Sequence, residues 1–310
     1  MVTDQSKSKG SLIVLAHVAA FAAALIWSAN FTLIKIARDE LDPVAMYLLR
    51  YGIAALFAAS IWLFRKPKLS GLSWKSWLVI AALAAMVGPI YQVLLIYGAA
   101  GTSAGLMGML IATQSLHIGW QAPLVLREHA SARQIVALIL GMVGVCLPII
   151  WAGDFSFEAI VYPGVIAIAA LLSGFNTVIP RRMRDHLHPL DLMPSIVILA
   201  VLLSIPLINQ SSITQWRELS FKGWMILIYI GSIGLPLAHL LWYFCVHNIT
   251  AVTAAFYFFV MMALSAAWGM VLLDEPFIFI DAVAIAVILA GLLLNAKARS
   301  ANSSPDAIPD

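Results

Sequence analysis

Ten apolar stretches, arranged as two copies of one five-stretch unit, constrain this chain more than any other feature. Setting residues 12–147 against 159–294 brings identical residues into register. At an offset of 146, Asn30 meets Asn176, Asp39 meets Asp185, Leu41 meets Leu187 and Pro43 meets Pro189. After one extra residue the offset is 147: Lys75 meets Lys222, Trp77 meets Trp224, Pro89 meets Pro236, Glu128 meets Glu275 and Gly144 meets Gly291. The stretches, spans 1 to 10, cover about 12–36, 43–64, 75–98, 103–126, 132–151, 159–180, 189–209, 222–246, 250–273 and 278–296. Crossing ~30 Å of hydrocarbon takes about 20 mostly apolar residues. With no water there to satisfy peptide groups, each span must be a helix. An odd number of crossings per copy sends the second copy into the bilayer from the opposite side.

Composition agrees. Apolar residues make up 62% of the chain and charged residues 11%, against roughly 25% charge in a soluble domain. The expected fold is an all-α integral membrane protein of ten transmembrane helices in two inverted five-helix repeats. The first repeat covers 1–151 and the second 152–310, with polar tails at 1–10 and 298–310 expected to be disordered. The boundary falls where Gly153, Asp154 and Glu158 interrupt the hydropathy. Span 1 follows Lys7 and Lys9 but is too long for a secretory signal.

Charge placement sets the orientation. With a cytoplasmic N-terminus, that side carries Lys7, Lys9, Arg65, Lys66, Lys68, Lys75, Arg127, Arg133, Arg181, Arg182, Arg184, Lys297 and Arg299, and the other only Lys35, Arg38, Arg217 and Lys222. Thirteen against four puts both termini in the cytoplasm, and the cell (inner) membrane is the expected location. Arg127 and Arg133 flank the turn after span 4, whereas the turn after span 9 has Asp274 and Glu275. Equivalent loops of opposite charge are what opposite orientation requires.

Local signals mark the helix ends. Asp42–Pro43 and Glu275–Pro276 read as caps followed by proline in the first turn, and Ser131 with Gln134 as a capping box. Gly141, Gly144 and Gly291 suit close helix contact, within one molecule or in a dimer. Trp62, Trp74, Trp77, Trp151, Trp216 and Trp224 sit at headgroup depth as anchors. Trp27, Trp120, Trp242 and Trp268 lie deeper, as packing residues or cavity walls.

Polar groups at mid-depth mark where a site could lie. Span 3 presents Gly88, Tyr91, Gln92 and Leu95, and span 8 presents Leu235, His239, Trp242 and Tyr243, after the paired Pro89 and Pro236 that permit kinks. Burial of polar groups in hydrocarbon is costly, so Gln92 and His239 are expected at a cavity. In span 4, Gln114, His117 and Gln121 share one face, as cavity lining or as interhelical bonds. The equivalent stretch of span 9 is apolar (Met261, Met262), with Tyr257 its main polar aromatic group, so the cavity should be lopsided. Arg50 is the one charge well inside a span, and its equivalent is Ile196. It could meet a substrate carboxylate or a helix-end carbonyl. Asn30 and Asn176 hold helices together or line the pore.

Absences narrow the chemistry. No Asp or Glu lies deep in a span, so proton coupling would have to use His117 or His239. Cys146 and Cys245 lie within spans and suggest neither a disulfide framework nor a metal site. There is no phosphate-binding loop for ATP. No cofactor and no nucleic-acid partner are expected; the partners are a small-molecule substrate, the lipid bilayer and, where transport is coupled, protons, with the chain a monomer or homodimer. Two similar halves inverted across a membrane are the arrangement of secondary carriers.

The chain resembles the drug/metabolite transporter superfamily in its ten-helix, EamA-type branch. The resemblance rests on Trp27-Ser28-Ala29-Asn30-Phe31, Pro43 with Arg50, Thr102-Ser103-Ala104-Gly105, Leu126-Arg127-Glu128 and Gly141 with Gly144. In the second copy it rests on Asn248-Ile249-Thr250-Ala251, Leu273-Asp274-Glu275-Pro276 and Gly291. It implies a cavity lined by spans 3, 4, 8 and 9 with 5 and 10 peripheral. Many members carry prolines in the middle of spans 4 and 9, where this chain has Ser115 and Met262. The expected function is alternating-access export of a small polar metabolite, an amino acid or a related compound, without enzymatic activity. Arg50, Tyr91, Gln92, Gln114, His117, His239, Trp242, Tyr243, Tyr257, Asn30 and Asn176 are the expected cavity residues. Import, or export of lipophilic compounds, is the nearest alternative. An intramembrane enzyme or a non-transporting receptor is the alternative of another class, though no nucleophile–base or ligand spacing stands out.

Overall fold

The structure is a computed structural model that describes residues 2–126, 132–153, 156–183, 187–249 and 251–302. Arg127, Glu128, Ser131, Asp154, Arg184, Asp185 and Thr250 lie outside the described residues, as does the end of the C-terminal tail. Among the described residues every regular element is helical, and the chain is a multi-pass membrane protein of ten spanning helices. Span 1 is Val2–Ala37, span 2 Pro43–Phe64, span 5 Ala132–Ala152, span 6 Phe157–Met183, span 7 Pro189–Ser204, span 9 Ala251–Leu273 and span 10 Phe279–Asn302. The tails expected to be disordered are in part helical: residues 2–10 belong to span 1 and 298–302 to span 10. The helix ladder runs on past the apolar stretches into these polar residues, through Gly10 at the first junction.

Spans 3, 4 and 8 are built in pieces. Span 3 runs Trp74–Ala85, a π turn Met86–Ile90 and Tyr91–Gly98; span 8 runs Phe221–Ile228, a π stretch Tyr229–Leu237 and Ala238–Asn248. Both irregularities hold the paired prolines, Pro89 and Pro236. Span 4 breaks between Ala104–Ala112 and Gln114–Leu126 without a proline. There the Thr113 hydroxyl donates to the Leu110 carbonyl at 2.6 Å and that of Ser115 to Ala112 at 3.0 Å. Such side-chain donors compete with the ladder and bend a helix.

The ends follow local chemistry. Asp42 caps span 2, accepting from the Val44 and Ala45 amides at 2.8 and 2.9 Å. Glu275 does not cap span 10 as expected: Asp281 accepts from Ile278 N there. Glu275 instead accepts the Ala104 amide at the start of span 4, at 2.7 Å, and pairs with Lys35 at the end of span 1, at 2.9 Å. Lys35 also donates to the Thr102 carbonyl. Three spans are thereby clasped together on the face away from the termini. The sequence places Arg181 at the Lys35 position and Glu128 at the Glu275 position of the other copy.

On that same face a helix that hydropathy did not announce, Gln210–Glu218, joins spans 7 and 8. It is polar and too short to cross, and it is pinned by its neighbours. Gln215 exchanges two bonds with Asp42, at 2.8 and 2.7 Å, and the Trp216 indole donates to the Ala45 carbonyl at 3.0 Å.

Packing between the copies is paired. Span 1 lies on spans 8 and 9, and span 6 correspondingly on spans 3 and 4. Span 2 meets span 8 as span 7 meets span 3. Spans 2 and 7, 4 and 9, and 5 and 10 pack against their own equivalents. The 5–10 contact uses the expected glycines within one molecule. A Cβ at Gly144 would stand 2.7 Å from Ile288, and one at Gly291 2.8 Å from the Ala137 carbonyl. In lipid, such close backbone approach replaces the hydrophobic effect as the source of helix cohesion.

The connection after span 1 also carries a charge effect. The Ser220 amide and hydroxyl both donate to Glu40, each at 2.7 Å, and hold its carboxyl below the usual carboxylate range. A carboxyl with a depressed folded-state pKa stabilises the fold above its unfolded value, and this is lost as pH falls through the folded pKa. The melting-temperature gap between wild type and Glu40→Gln in detergent should therefore be open near neutrality and close below the ordinary value of 4.5. A gap that persists unchanged into that acid range would remove the ionised contact as its cause.

Candidate functional site

A cavity of about 90 Å³ lies at the centre of the bundle, lined from spans 1 to 4 and 6 to 9. One water needs roughly 10–15 Å³ on this measure, so the space admits several waters or a small metabolite. Its walls come largely in repeat-related pairs: Trp27 with Ser173, Asn30 with Asn176, Phe31 with Thr177, Arg50 with Ile196 and Tyr51 with Val197. Gln92 pairs with His239, Leu95 with Trp242, Ile111 with Phe258 and Gln114 with Met261. The cavity therefore sits on the axis relating the two copies.

Part of its polar framework is built on the two π stretches. Pro89 and Pro236 lie within them and have no amide hydrogen. Side chains from neighbouring spans bond carbonyls of these stretches. Tyr51 donates its hydroxyl to Val87 O at 3.2 Å, Asn30 donates Nδ2–H to Gly234 O at 2.9 Å, and Arg50 donates Nε–H to Ile230 O at 3.1 Å. Val87 and Gly234 are repeat equivalents. Close approach here requires glycine: a Cβ at Gly231 would stand 2.9 Å from the Arg50 carbonyl, and one at Gly234 would run into the Asn30 amide.

Arg50 is 4% exposed. Besides Ile230 O, it donates Nη1–H to Gln92 Oε1 at 2.8 Å, so its acceptors are neutral. The ion pairs among the described residues are Lys35–Glu275 and Arg65–Asp191; Arg50 belongs to neither. Among the described residues no Asp or Glu lines the cavity.

A second set of bonds runs along the opposite wall. His239 Nδ1 lies 2.7 Å from Leu235 O, which makes Nδ1 the donor and leaves Nε2 to accept from Asn176 Nδ2 at 3.4 Å. Tyr243 in turn donates to Asn176 Oδ1 at 3.3 Å, and Ser173 donates to Gln114 Oε1. Aromatic rings close this side. Trp27 stands edge-on to His239 at 5.3 Å and against Trp242 at 5.5 Å, and Trp242 meets Phe258 at 4.7 Å.

Nine of the expected residues line this space: Asn30, Arg50, Tyr91, Gln92, Gln114, Asn176, His239, Trp242 and Tyr243. His117 and Tyr257 do not. His117, three residues beyond Gln114 on the same segment of span 4, takes the Trp120 indole N–H at 3.3 Å. Tyr257, on span 9, bonds His17 of span 1 at 2.8 Å. Spans 1, 2, 6 and 7 contribute walls that the expected set of 3, 4, 8 and 9 omitted. The missed residues include Phe31, Tyr51, Ser173 and Thr177; the repeat offset applied to Trp27 and Asn30 leads to Ser173 and Asn176. Among the described residues no cluster of three or more His, Cys, Asp or Glu is placed to hold a metal.

The Gln92–Arg50 contact predicts its own cost. Gln92→Leu leaves a buried charged donor unpaired, roughly 1–3 kcal/mol or more. The purified variant should melt several degrees below wild type. An unchanged melting temperature would mean that the contact contributes nothing to holding the guanidinium.

The EamA-like transporter family model matches this sequence twice, over residues 14–150 and 163–296. An uncharacterized transporter of Archaeoglobus fulgidus is 23% identical over 93% of this chain and 99% of its own length. The uncharacterized transporter YetK of Bacillus subtilis is 22% identical over 71% of this chain and 67% of its own. A crystal structure with 15% identity aligns at a TM-score of 0.65, covering 93% of this chain and 99% of that one, and so shares its fold.

Proposed function

Given that the chain belongs to the EamA-like transporter family, we propose that it is a secondary carrier exporting a small polar metabolite, an amino acid or a related carboxylate. One observation carries this reading: a largely apolar cavity with polar groups set into it, on the axis between two copies of one unit, with walls from both. A site so placed is reached from either side if the copies exchange shapes, the basis of alternating access. The π turns in spans 3 and 8 supply the bending points. Arg50 would receive a carboxylate, while Gln92, Gln114, Asn30, Asn176 and His239 offer neutral hydrogen bonds. Trp242, Tyr91 and Tyr243 would bound the apolar part of the cargo.

Orientation follows from charge. With thirteen Lys/Arg on one face and four on the other, both termini lie in the cytoplasm and the carrier sits in the cell membrane, its copies divided at about 151/152. A reporter fused to the C-terminus that is active only outside the cytoplasm would reverse this assignment.

Coupling would fall to His239, the one imidazole in the lining. Flux of a labelled amino-acid and carboxylate panel into proteoliposomes tests the carrier reading. His239→Leu should cut flux at least tenfold at equal protein level, and an imposed pH gradient should drive accumulation by wild type but not by His239→Gln. No flux of any panel member by well-folded protein would sink the carrier reading. Gradient-driven uptake by His239→Gln would move the proton site elsewhere.

A further inference from the structure

We infer that the cavity selects an organic monoanion: a carboxylate on an apolar body about the size of an aromatic ring, without the ammonium group of an amino acid. This rests on the carrier reading only for where the ligand goes next; the selectivity itself follows from the charges around the cavity.

Among the described residues Arg50 is the one permanent charge lining the cavity, and none of them serves as its counter-ion. Both acceptors it meets, Ile230 O at 3.1 Å and Gln92 Oε1 at 2.8 Å, are neutral. The lining contains no carboxylate. At membrane depth an unpaired cation is costly and seeks either water or an anion. A guanidinium matches a carboxylate in planarity and offers paired N–H donors, and two bonds to neutral acceptors leave it further donors.

The axis between the copies sharpens this. A carboxylate at the Arg50-equivalent position would have balanced the charge, but that position is Ile196. The Gln114 equivalent is likewise apolar, Met261. A zwitterion would bring its ammonium into a space that already holds a cation and offers no acid in return. The available compensation is the unpartnered Asn30 Oδ1 and the face of Trp27 or Trp242, neutral partners and weaker than a carboxylate. The same rings, with Phe258, suit an apolar body. Cargo thus has a polarity built in, its carboxylate toward span 2 and its body toward the apolar walls of the second copy.

The test uses three molecules of matched ring and chain: 3-phenylpropionate, phenylalanine and phenethylamine. Binding to the purified full-length protein is measured by calorimetry and by thermal shift, independently of transport. The monoanion should bind at least tenfold more tightly than phenylalanine, and the amine should show no binding. Arg50→Lys should weaken the monoanion yet keep the order, whereas Arg50→Met should abolish the order. Should Arg50→Met fail to fold, Ile196→Glu supplies the missing counter-charge across the axis and should shift preference toward phenylalanine by tenfold or more. Equal or tighter binding of phenylalanine by wild type overturns the inference, as does binding of none of the three. Retention of monoanion preference in Ile196→Glu also overturns it. A monoanion that binds with this selectivity but is not carried across proteoliposomes leaves the selectivity standing and removes the carrier reading instead.

Discussion

Inside hydrocarbon, a peptide carbonyl turned out of its helix must find a donor in the protein or face water, because lipid offers none. Spans 3 and 8 leave the regular α ladder at equivalent depths, in the π stretches that hold Pro89 and Pro236, and carbonyls of both stretches take side-chain donors. Tyr51, Asn30 and Arg50 are held where they are by bonds to Val87 O, Gly234 O and Ile230 O. Those bonds tie span 2 to both spans 3 and 8, and span 1 to span 8.

The two copies use this device unequally. Val87 and Gly234 occupy the same repeat position, yet one takes a tyrosine hydroxyl from span 2 and the other an asparagine amide from span 1. Asn176, the equivalent of Asn30, bonds His239 and Tyr243 instead. Backbone symmetry and side-chain asymmetry are thus separable: helices and their contacts repeat, while the charge does not. A cavity on a symmetry axis can distinguish the ends of its cargo only through such unlike pairs as Arg50 with Ile196.

The spans were legible in sequence because hydropathy, charge bias and a residue-level repeat all reported the same periodic constraint. Span 2 begins at Pro43, with Asp42 as its cap, as the sequence indicates. The polar helix Gln210–Glu218 was not legible, because it contributes no apolar run and is fixed by contacts with Asp42 and Ala45, more than 165 residues away. Glu275 misled for a related reason: its Glu–Pro pair resembles a cap, but tertiary contacts with Lys35 and Ala104 claim the carboxylate. On spans 3 and 8, Tyr91, Gln92, Leu95, Leu235, His239, Trp242 and Tyr243 lie along one cavity, since neighbouring turns there face one way. His117 follows Gln114 by three residues on the same segment, Gln114–Leu126, but it does not line the cavity and accepts the Trp120 indole N–H instead. The family's prolines are missing from span 4, yet Thr113 and Ser115 produce a break there by competing for carbonyls.

The pairing of contacts between the copies has one more consequence. Three interfaces join a span to its own equivalent: 2 with 7, 4 with 9, and 5 with 10. In each, the same helix surface is present twice, once the right way up and once inverted. A lone five-span unit with these faces could bury them only against a second molecule of itself inserted upside down. The present chain packs as such an antiparallel pair would, but with both copies in one chain a residue such as Arg50 can stand in one copy opposite Ile196 in the other.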